Sequence, residues 1–114
     1  MRLIALFALL ALRLPLPAQS SPEERAAWNQ PFKPFRIVGN VYYVGVQGVS
    51  AFLVTTPEGH ILLDGGFLET APLIEKSISD LGFRLKDVKF LLNSHAHYDH
   101  CGGLTELKNA PAQR

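Results

Sequence analysis

A chain of 114 residues is long enough for one small domain, and its 47% hydrophobic content excludes a disordered polar chain. Eleven basic residues against ten acidic ones give a formal net charge of +1, so charge gives no reason to expect a nucleic-acid partner. Because Cys101 is the one cysteine, the chain cannot form an intrachain disulfide.

The first twenty residues have the pattern of a secretory signal peptide. Arg2 precedes an unbroken apolar run over residues 3–12, which is too short for a membrane span of about 20 residues. Prolines and small residues follow within residues 14–20, where a signal peptidase could cut. We therefore expect residues 1–20 to be removed and residues 21–114 to be periplasmic or secreted, without membrane association afterwards. The alternative is that the apolar run is a buried helix of the mature domain.

The next part of the chain predicts an antiparallel sheet. Residues 21–36 are polar and marked by prolines, so we expect an extended lead-in whose aromatic side chains dock on the body of the domain. β-branched, aromatic and apolar runs then alternate with glycine-containing turns. They predict four strands, over residues 36–38, 41–44, 51–55 and 60–64.

The hydrophobic period then changes to that of a helix. Four apolar side chains fall on one helical face (Leu73, Ile74, Ile78 and Leu81). Thr70 is expected at the N-cap and Gly82 just past the C-terminus. Residues 88–93 predict another buried strand, so residues 61–64, the helix and this strand form a βαβ unit with a parallel pair and a right-handed crossover. The fold class is therefore α/β (α+β), a mixed sheet with flanking helices.

The residues that carry chemistry follow the last predicted strand, in the run His95-Ala-His97-Tyr-Asp99-His100. Open α/β sheets have their sites at the carboxyl ends of the parallel strands, which is where this run lies. Imidazole and carboxylate groups are ordinary zinc ligands. If the segment is extended, His95, His97 and Asp99 project to one side, Tyr98 points away to pack, and His100 turns with the loop. The run predicts a metal site; the alternatives are an incidental polar loop or an adventitious histidine-rich metal site.

The spacing His95-x-His97-x-Asp99-His100 resembles the metal motif of the metallo-β-lactamase superfamily. Asp64, followed by two glycines at the end of an apolar strand, resembles a second landmark of that family. Residues 28–35 and 39–45 are similar to the third subclass of class B (zinc) β-lactamases. The resemblance implies that the chain is the amino-terminal half of an αββα sandwich, with residues 21–114 forming an incomplete domain.

The resemblance also implies a set of ligands and a reaction. It assigns His95 and His97 to a first zinc ion and Asp99 and His100 to a second. Asp99 has an additional catalytic role, the orientation of the hydroxide that the two Zn²⁺ ions share. The complete protein would hydrolyse the β-lactam amide bond with this metal-bound hydroxide and confer antibiotic resistance. Alternatives are another hydrolase of the same fold, acting on a lactone or thioester, and a non-catalytic truncated product that binds metal.

The family needs one more histidine for each metal, and the resemblance implies that both lie beyond Arg114. We therefore expect residues 1–114 alone to bind metal weakly and to be inactive. His60 opens a strand far from the motif and is expected to be structural or exposed. The family usually has a small residue that is not a ligand in the place of Cys101, so we do not expect Cys101 to be a ligand.

Three further polar residues remain to be interpreted. Asp64 has two interpretations: it accepts a hydrogen bond from a ligand imidazole and fixes its tautomer, or it merely ends a strand. We favour the first. Ser94 and Ser50 are expected to be structural, because a metal-activated hydroxide makes a serine nucleophile unnecessary. The oligomeric state is not predictable from the sequence.

Overall fold

The computed structural model describes residues 20–110 as a mixed five-stranded sheet with flanking helices. The strands are β1 (Phe35–Val38), β2 (Val41–Tyr43), β3 (Phe52–Val54), β4 (His60–Leu63) and β5 (Val88–Leu92). The helices are α1 (Pro22–Trp28), α2 (Ala71–Asp80), α3 (Tyr98–Cys101) and α4 (Leu104–Asn109), with 3-10 turns at Leu68–Thr70 and Leu85–Asp87. No helix within residues 20–110 is long and apolar enough to cross a membrane. The predicted signal peptide lies outside the described residues, apart from Ser20.

The strands lie in the sheet in the same order as in the chain. β1, β2, β3 and β4 pair antiparallel, and β4 and β5 are parallel with Leu63 opposite Leu92. The tight connection between β1 and β2 uses Gly39 at a φ of 53°, a conformation that glycine adopts without strain. The predicted sheet and its parallel pair are therefore confirmed. The carboxyl ends of β4 and β5 lie side by side, so the residues that follow them are neighbours.

The core lies between the sheet and α2. Leu53 and Leu62 from the sheet and Ile74 and Ile78 from α2 are fully buried. Each such side chain contributes about 1.5–3 kcal/mol to folding through its burial. Gly82, at a φ of 86°, follows the helix as predicted. These contacts fix α2 across the face of the parallel strand pair.

Thr70 lies at the N-cap position of α2, as predicted, but its side chain makes no capping hydrogen bond. Its hydroxyl donates to Oδ1 of Asn29 at 2.6 Å and accepts from the backbone N–H of Phe67 at 3.0 Å. The reason is the 3-10 turn before α2, which already gives Thr70 a helical backbone and turns its side chain towards α1.

The prediction that residues 21–36 are extended is wrong, because they contain α1. The Ser21 hydroxyl accepts from the backbone N–H of Glu24 at 3.2 Å, and the Glu24 carboxylate accepts from the backbone N–H of Ser21 at 2.8 Å. This capping box, with Pro22 in the first turn, starts a short helix of good helix-forming residues. Pro22 does not indicate extended chain here, because proline is favoured at the first helical position.

The aromatic side chains of the lead-in do dock on the body of the domain. The Trp28 ring stacks on Phe67 with centroids 6.5 Å apart. Phe32 and Phe35 pack against Tyr43 with centroid distances of 5.6 and 5.5 Å. Large apolar side chains elsewhere stay uncovered by the described residues, on β1 and β5 (Ile37, Val38, Phe90 and Leu92).

Candidate metal centre

The candidate site lies at the carboxyl ends of β4 and β5. Asp64 follows β4, and its backbone N–H donates to the carbonyl oxygen of Leu92 at 2.8 Å, which extends the parallel ladder beyond the last strand residue. The next residues after β5 include Ser94 and His95. The parallel register therefore brings Asp64 beside the start of the histidine motif, at the sheet edge that the sequence indicated.

Asp64 is a buried carboxylate, only 3% exposed, in a strained backbone conformation. Its φ of 67° makes it the one non-glycine residue with positive φ among residues 20–110. One carboxylate oxygen accepts from the backbone N–H of Ser94 at 2.7 Å. The other accepts from the Ser94 hydroxyl at 2.5 Å and lies 3.0 Å from Nδ1 of His100. The structure thus brings Asp64 to a predicted ligand imidazole.

The same contacts set the charge of Asp64. Burial raises the pKa of its carboxyl, but the hydrogen bonds from Ser94 and His100 outweigh burial and hold the pKa below its usual value. Asp64 is therefore ionised at neutral pH and acts only as an acceptor. Nδ1 of His100 then carries the proton, and Nε2 keeps the lone pair that a metal ion needs.

The predicted ligands lie together in one cluster. The ring centroids of His95 and His97 are 4.0 Å apart, and those of His95 and His100 are 5.3 Å apart. A carboxylate oxygen of Asp99 lies 3.5 Å from Nε2 of His100. His95 and His97 are exposed, while Asp99 and His100 are half-buried. Three imidazoles and one carboxylate thus lie close together beyond the sheet edge.

The expected alternation of side chains is wrong beyond His97, because α3 begins at Tyr98. The backbone N–H of Cys101 donates to the carbonyl oxygen of His97 at 3.1 Å, the bond of a helical turn. Asp99 therefore joins the cluster from a helix and not from an extended segment. Tyr98 packs as expected, with its ring 6.0 Å from that of Phe67, but the helical turn and not strand alternation directs it there.

Backbone contacts hold α3 against the loop that follows β4. The backbone N–H of Gly65 donates to the carbonyl oxygen of His100 at 2.8 Å, and that of Gly103 donates to the carbonyl oxygen of Gly66 at 3.0 Å. A Cβ on Gly103 would lie 2.2 Å from the carbonyl oxygen of Gly65, so only glycine allows this approach. The glycines after the histidine motif therefore serve the packing of two loops.

His60 has the structural role that the sequence suggested. It lies at the start of β4, at the opposite end of the strand from Asp64. Its Nδ1 accepts from the backbone N–H of Thr56 at 3.3 Å, and its ring packs edge-on against Phe83. Cys101, half-buried, has its thiol 3.9 Å from the carbonyl oxygen of Ala96.

Sequence reasoning missed the specific contact of Ser94. It was expected to be structural, but its double hydrogen bond to Asp64 makes it a support of the His100 contact. The signal that could have found it is the parallel pairing: if Leu63 lies opposite Leu92, then residues 64 and 94 lie close beyond the strand ends.

The cluster fits zinc in its chemistry, because imidazole nitrogen and carboxylate oxygen are ordinary zinc ligands. His100 fits further, since its Nδ1 is engaged by a carboxylate in the manner of ligand histidines. Within residues 20–110, however, no group of three His, Cys, Asp or Glu side chains is arranged so that it could hold an ion. The described residues therefore match zinc in the kind of side chain they offer, but they do not form a complete metal site by themselves.

Comparison with known proteins identifies the family. The family model described as the metallo-beta-lactamase superfamily matches residues 44–112, more than half of the chain. The chain belongs to the metallo-β-lactamase superfamily. The match includes Asp64 and the whole histidine motif, the two landmarks on which the sequence resemblance rested.

Solved structures agree with this assignment. MEM-A1, a subclass B3 metallo-β-lactamase from a soil metagenome library, is 57% identical over 71% of this chain and 31% of its own, with a TM-score of 0.70. The Rm3 metallo-β-lactamase is 55% identical over 78% of this chain and 33% of its own, with a TM-score of 0.75. The mixed sheet with flanking helices is thus the fold of this superfamily, and the expected fold class and the resemblance to its third subclass are confirmed.

A curated relative has a different reaction in its name. The N-acyl homoserine lactonase AttM of Agrobacterium fabrum is 34% identical, over 54% of this chain and 32% of its own length. The chain spans about a third of the length of each of these three proteins. Membership of a hydrolase family is therefore shown, whereas the bond that is hydrolysed is a matter for proposal.

Proposed function

We propose that this chain forms the amino-terminal, metal-binding part of a zinc-dependent hydrolase that opens the amide bond of β-lactams. The observation that carries the proposal is the high identity, 57% and 55%, with two metallo-β-lactamases over 71% and 78% of this chain. The proximity of the His95, His97 and His100 rings beyond β5 supports the metal-binding part of the proposal independently of any relative.

The proposed ligand sets follow the order of the motif. His95 and His97 hold one zinc ion, and Asp99 and His100 hold the second. Each ion needs at least one further ligand from outside residues 1–114, because catalytic zinc sites usually have three protein ligands. When bound, zinc supplies Lewis acidity, which polarises a carbonyl group and makes a water molecule acidic enough to be a nucleophile near neutral pH.

The remaining roles belong to side chains of this chain. Asp64 fixes the tautomer and orientation of His100, and Ser94 holds Asp64 in turn. The Asp99 carboxylate orients the attacking water by accepting a hydrogen bond from it. Ser94 is not the nucleophile, because its hydroxyl donates to the Asp64 carboxylate.

The test uses the complete protein with a chromogenic cephalosporin and a carbapenem. We expect turnover that a chelator abolishes and added zinc restores. His95→Ala should remove turnover, while the matched variant His60→Ala should retain it, since His60 lies at the far end of β4. If the zinc-loaded protein leaves both lactams intact, the β-lactam proposal is wrong.

A second candidate reaction is lactone hydrolysis, which is favoured by the 34% identity with the lactonase AttM. A lactone carbonyl presents the same electrophile to an activated water as a lactam does. The same preparation is therefore assayed with an N-acyl homoserine lactone. A kcat/KM for the lactone above that for either lactam would replace the first proposal by the second.

We also propose that the protein is exported to the periplasm or the exterior, because residues 1–20 have the pattern of a signal peptide. Cell fractionation followed by amino-terminal sequencing of the protein tests this. Protein outside the cytoplasm with a mature start at Gln19 or Ser21 supports export by cleavage, and cytoplasmic protein with a retained Met1 contradicts it.

A further inference from the structure

Arg25 of α1 lies between two aromatic rings. Its guanidinium carbon is 4.9 Å from the ring centroid of Phe67 and 4.9 Å from that of Tyr98. One guanidinium nitrogen donates to the Glu69 carboxylate at 2.6 Å, whereas Nε is buried and has no hydrogen-bond partner among the described residues. Two ring faces are therefore principal contacts of this cation, in the geometry of a cation–π interaction.

The two rings differ in how deeply they are buried. Phe67, in the loop after β4, is 1% exposed and is packed in a buried cluster. Tyr98 is 50% exposed and is the first residue of α3, between the predicted ligands His97 and Asp99. Arg25 therefore connects a rigid part of the core to the short helix that carries ligands of the second zinc ion.

Contacts that do not involve α3 hold Arg25 in place. Asn29, which follows α1, accepts from the Thr70 hydroxyl at 2.6 Å. The carbonyl oxygen of Trp28 accepts from the backbone N–H of Gly48 at 2.8 Å, and the Trp28 ring stacks on Phe67. The guanidinium is thus presented to Tyr98 from a fixed position.

The helix α3 needs such support. It has four residues, so it cannot be stable by its own hydrogen bonds. The backbone bonds of Gly65 and Gly103 hold its His100 end, and the stack of Arg25 on Tyr98 holds its beginning. We propose that Arg25 is a positioning residue of the metal centre, which keeps α3 in the orientation that its two ligand side chains need. This inference rests on the proposed function only in that α3 supplies metal ligands.

The test measures zinc affinity in the complete protein by competition with a chromogenic chelator. Arg25→Met keeps the apolar stem and removes the charge, and Tyr98→Leu removes the ring. We expect each variant to weaken the more weakly held zinc ion by about 3- to 10-fold. Tyr98→Phe keeps a ring face and should match the parent protein. The double variant should lose no more than the larger single loss, because both changes break the same contact.

The control is Arg84→Met, which removes a surface ion pair with Asp87 and should leave both zinc affinities unchanged. Losses that add in the double variant, or an Arg25→Met affinity equal to that of the parent, would overturn the inference. If Arg25→Met does not fold, the comparison of Tyr98→Leu with Tyr98→Phe decides: equal zinc affinities of these two variants overturn the inference.

A parent protein that binds no zinc would overturn both proposals. Zinc binding without lactam hydrolysis would overturn only the proposed reaction.

Discussion

Nδ1 of His100 lies 3.0 Å from a carboxylate oxygen of Asp64, although the two residues are 36 positions apart in the chain. The contact exists because β4 and β5 are parallel neighbours whose ends lie at the same edge of the sheet. It gives His100 a fixed tautomer, with Nε2 available for a metal ion. The first prediction follows from this contact.

Asp64→Asn in the complete protein should lower the affinity for the more weakly held zinc ion by about 10- to 100-fold. The neutral amide of Asp64→Asn would no longer stabilise the protonated Nδ1 of His100. The NH2 group of the amide replaces one carboxylate oxygen, so a Ser94 or His100 donor loses its acceptor. Chelator competition measures the effect. Asp80→Asn is the matched control, because it removes a surface ion pair with Lys76. Equal affinities in the two variants would contradict the role of Asp64.

Ser94→Ala should lower the free energy of unfolding by about 1–2 kcal/mol, because a hydrogen bond to a buried carboxylate is lost. Its backbone bond to Asp64 remains, so the effect should be smaller than that of losing the carboxylate. Urea unfolding of the complete protein measures it. Ser79→Ala, at an exposed position in α2, should be neutral or slightly stabilising. A Ser94 variant as stable as the Ser79 variant would refute the contact.

Gly103→Ala should cost about 3 kcal/mol of stability, because its Cβ would meet the backbone of Gly65 at 2.2 Å. Gly82→Ala is the matched control. It has open space around the new Cβ but a φ of 86°, so it should cost only about 1 kcal/mol. Both are measured by chemical denaturation of the complete protein. If Gly103→Ala lowers the free energy of unfolding no more than the control does, Gly103 does not approach Gly65 as closely as described.

Asp99→Ala should reduce bound zinc from two ions towards about one per protein and should cut turnover, because the second ion loses its carboxylate ligand. Metal analysis after dialysis and the lactam assay measure the two effects. Glu58→Ala, in an exposed turn between β3 and β4, removes the same charge and should change neither. Unchanged zinc content and rate in the Asp99 variant would refute its assignment.

Much of the fold was predictable because its strands and its longest helix follow from local patterns of apolar, polar and glycine residues. Alternating apolar strands and glycine turns predicted β1 to β4, and the change to a helical period predicted α2 and the parallel pair after it. The exceptions are α1, α3 and α4. All three are short helices of four to seven residues, and hydrophobic periodicity does not detect helices of that length.

The sequence by itself determined the types and order of the proposed ligands and the sheet edge at which they lie, because these follow from residue identity and strand direction. Only the tertiary structure decided which side chains support them. The bonds of Asp64 to Ser94 and His100 span 30 and 36 positions, and the Arg25 stack on Tyr98 joins segments that are distant in the chain. Such contacts depend on how the strands pair and on where α1 packs, and no local pattern of residues encodes a distance between separate segments.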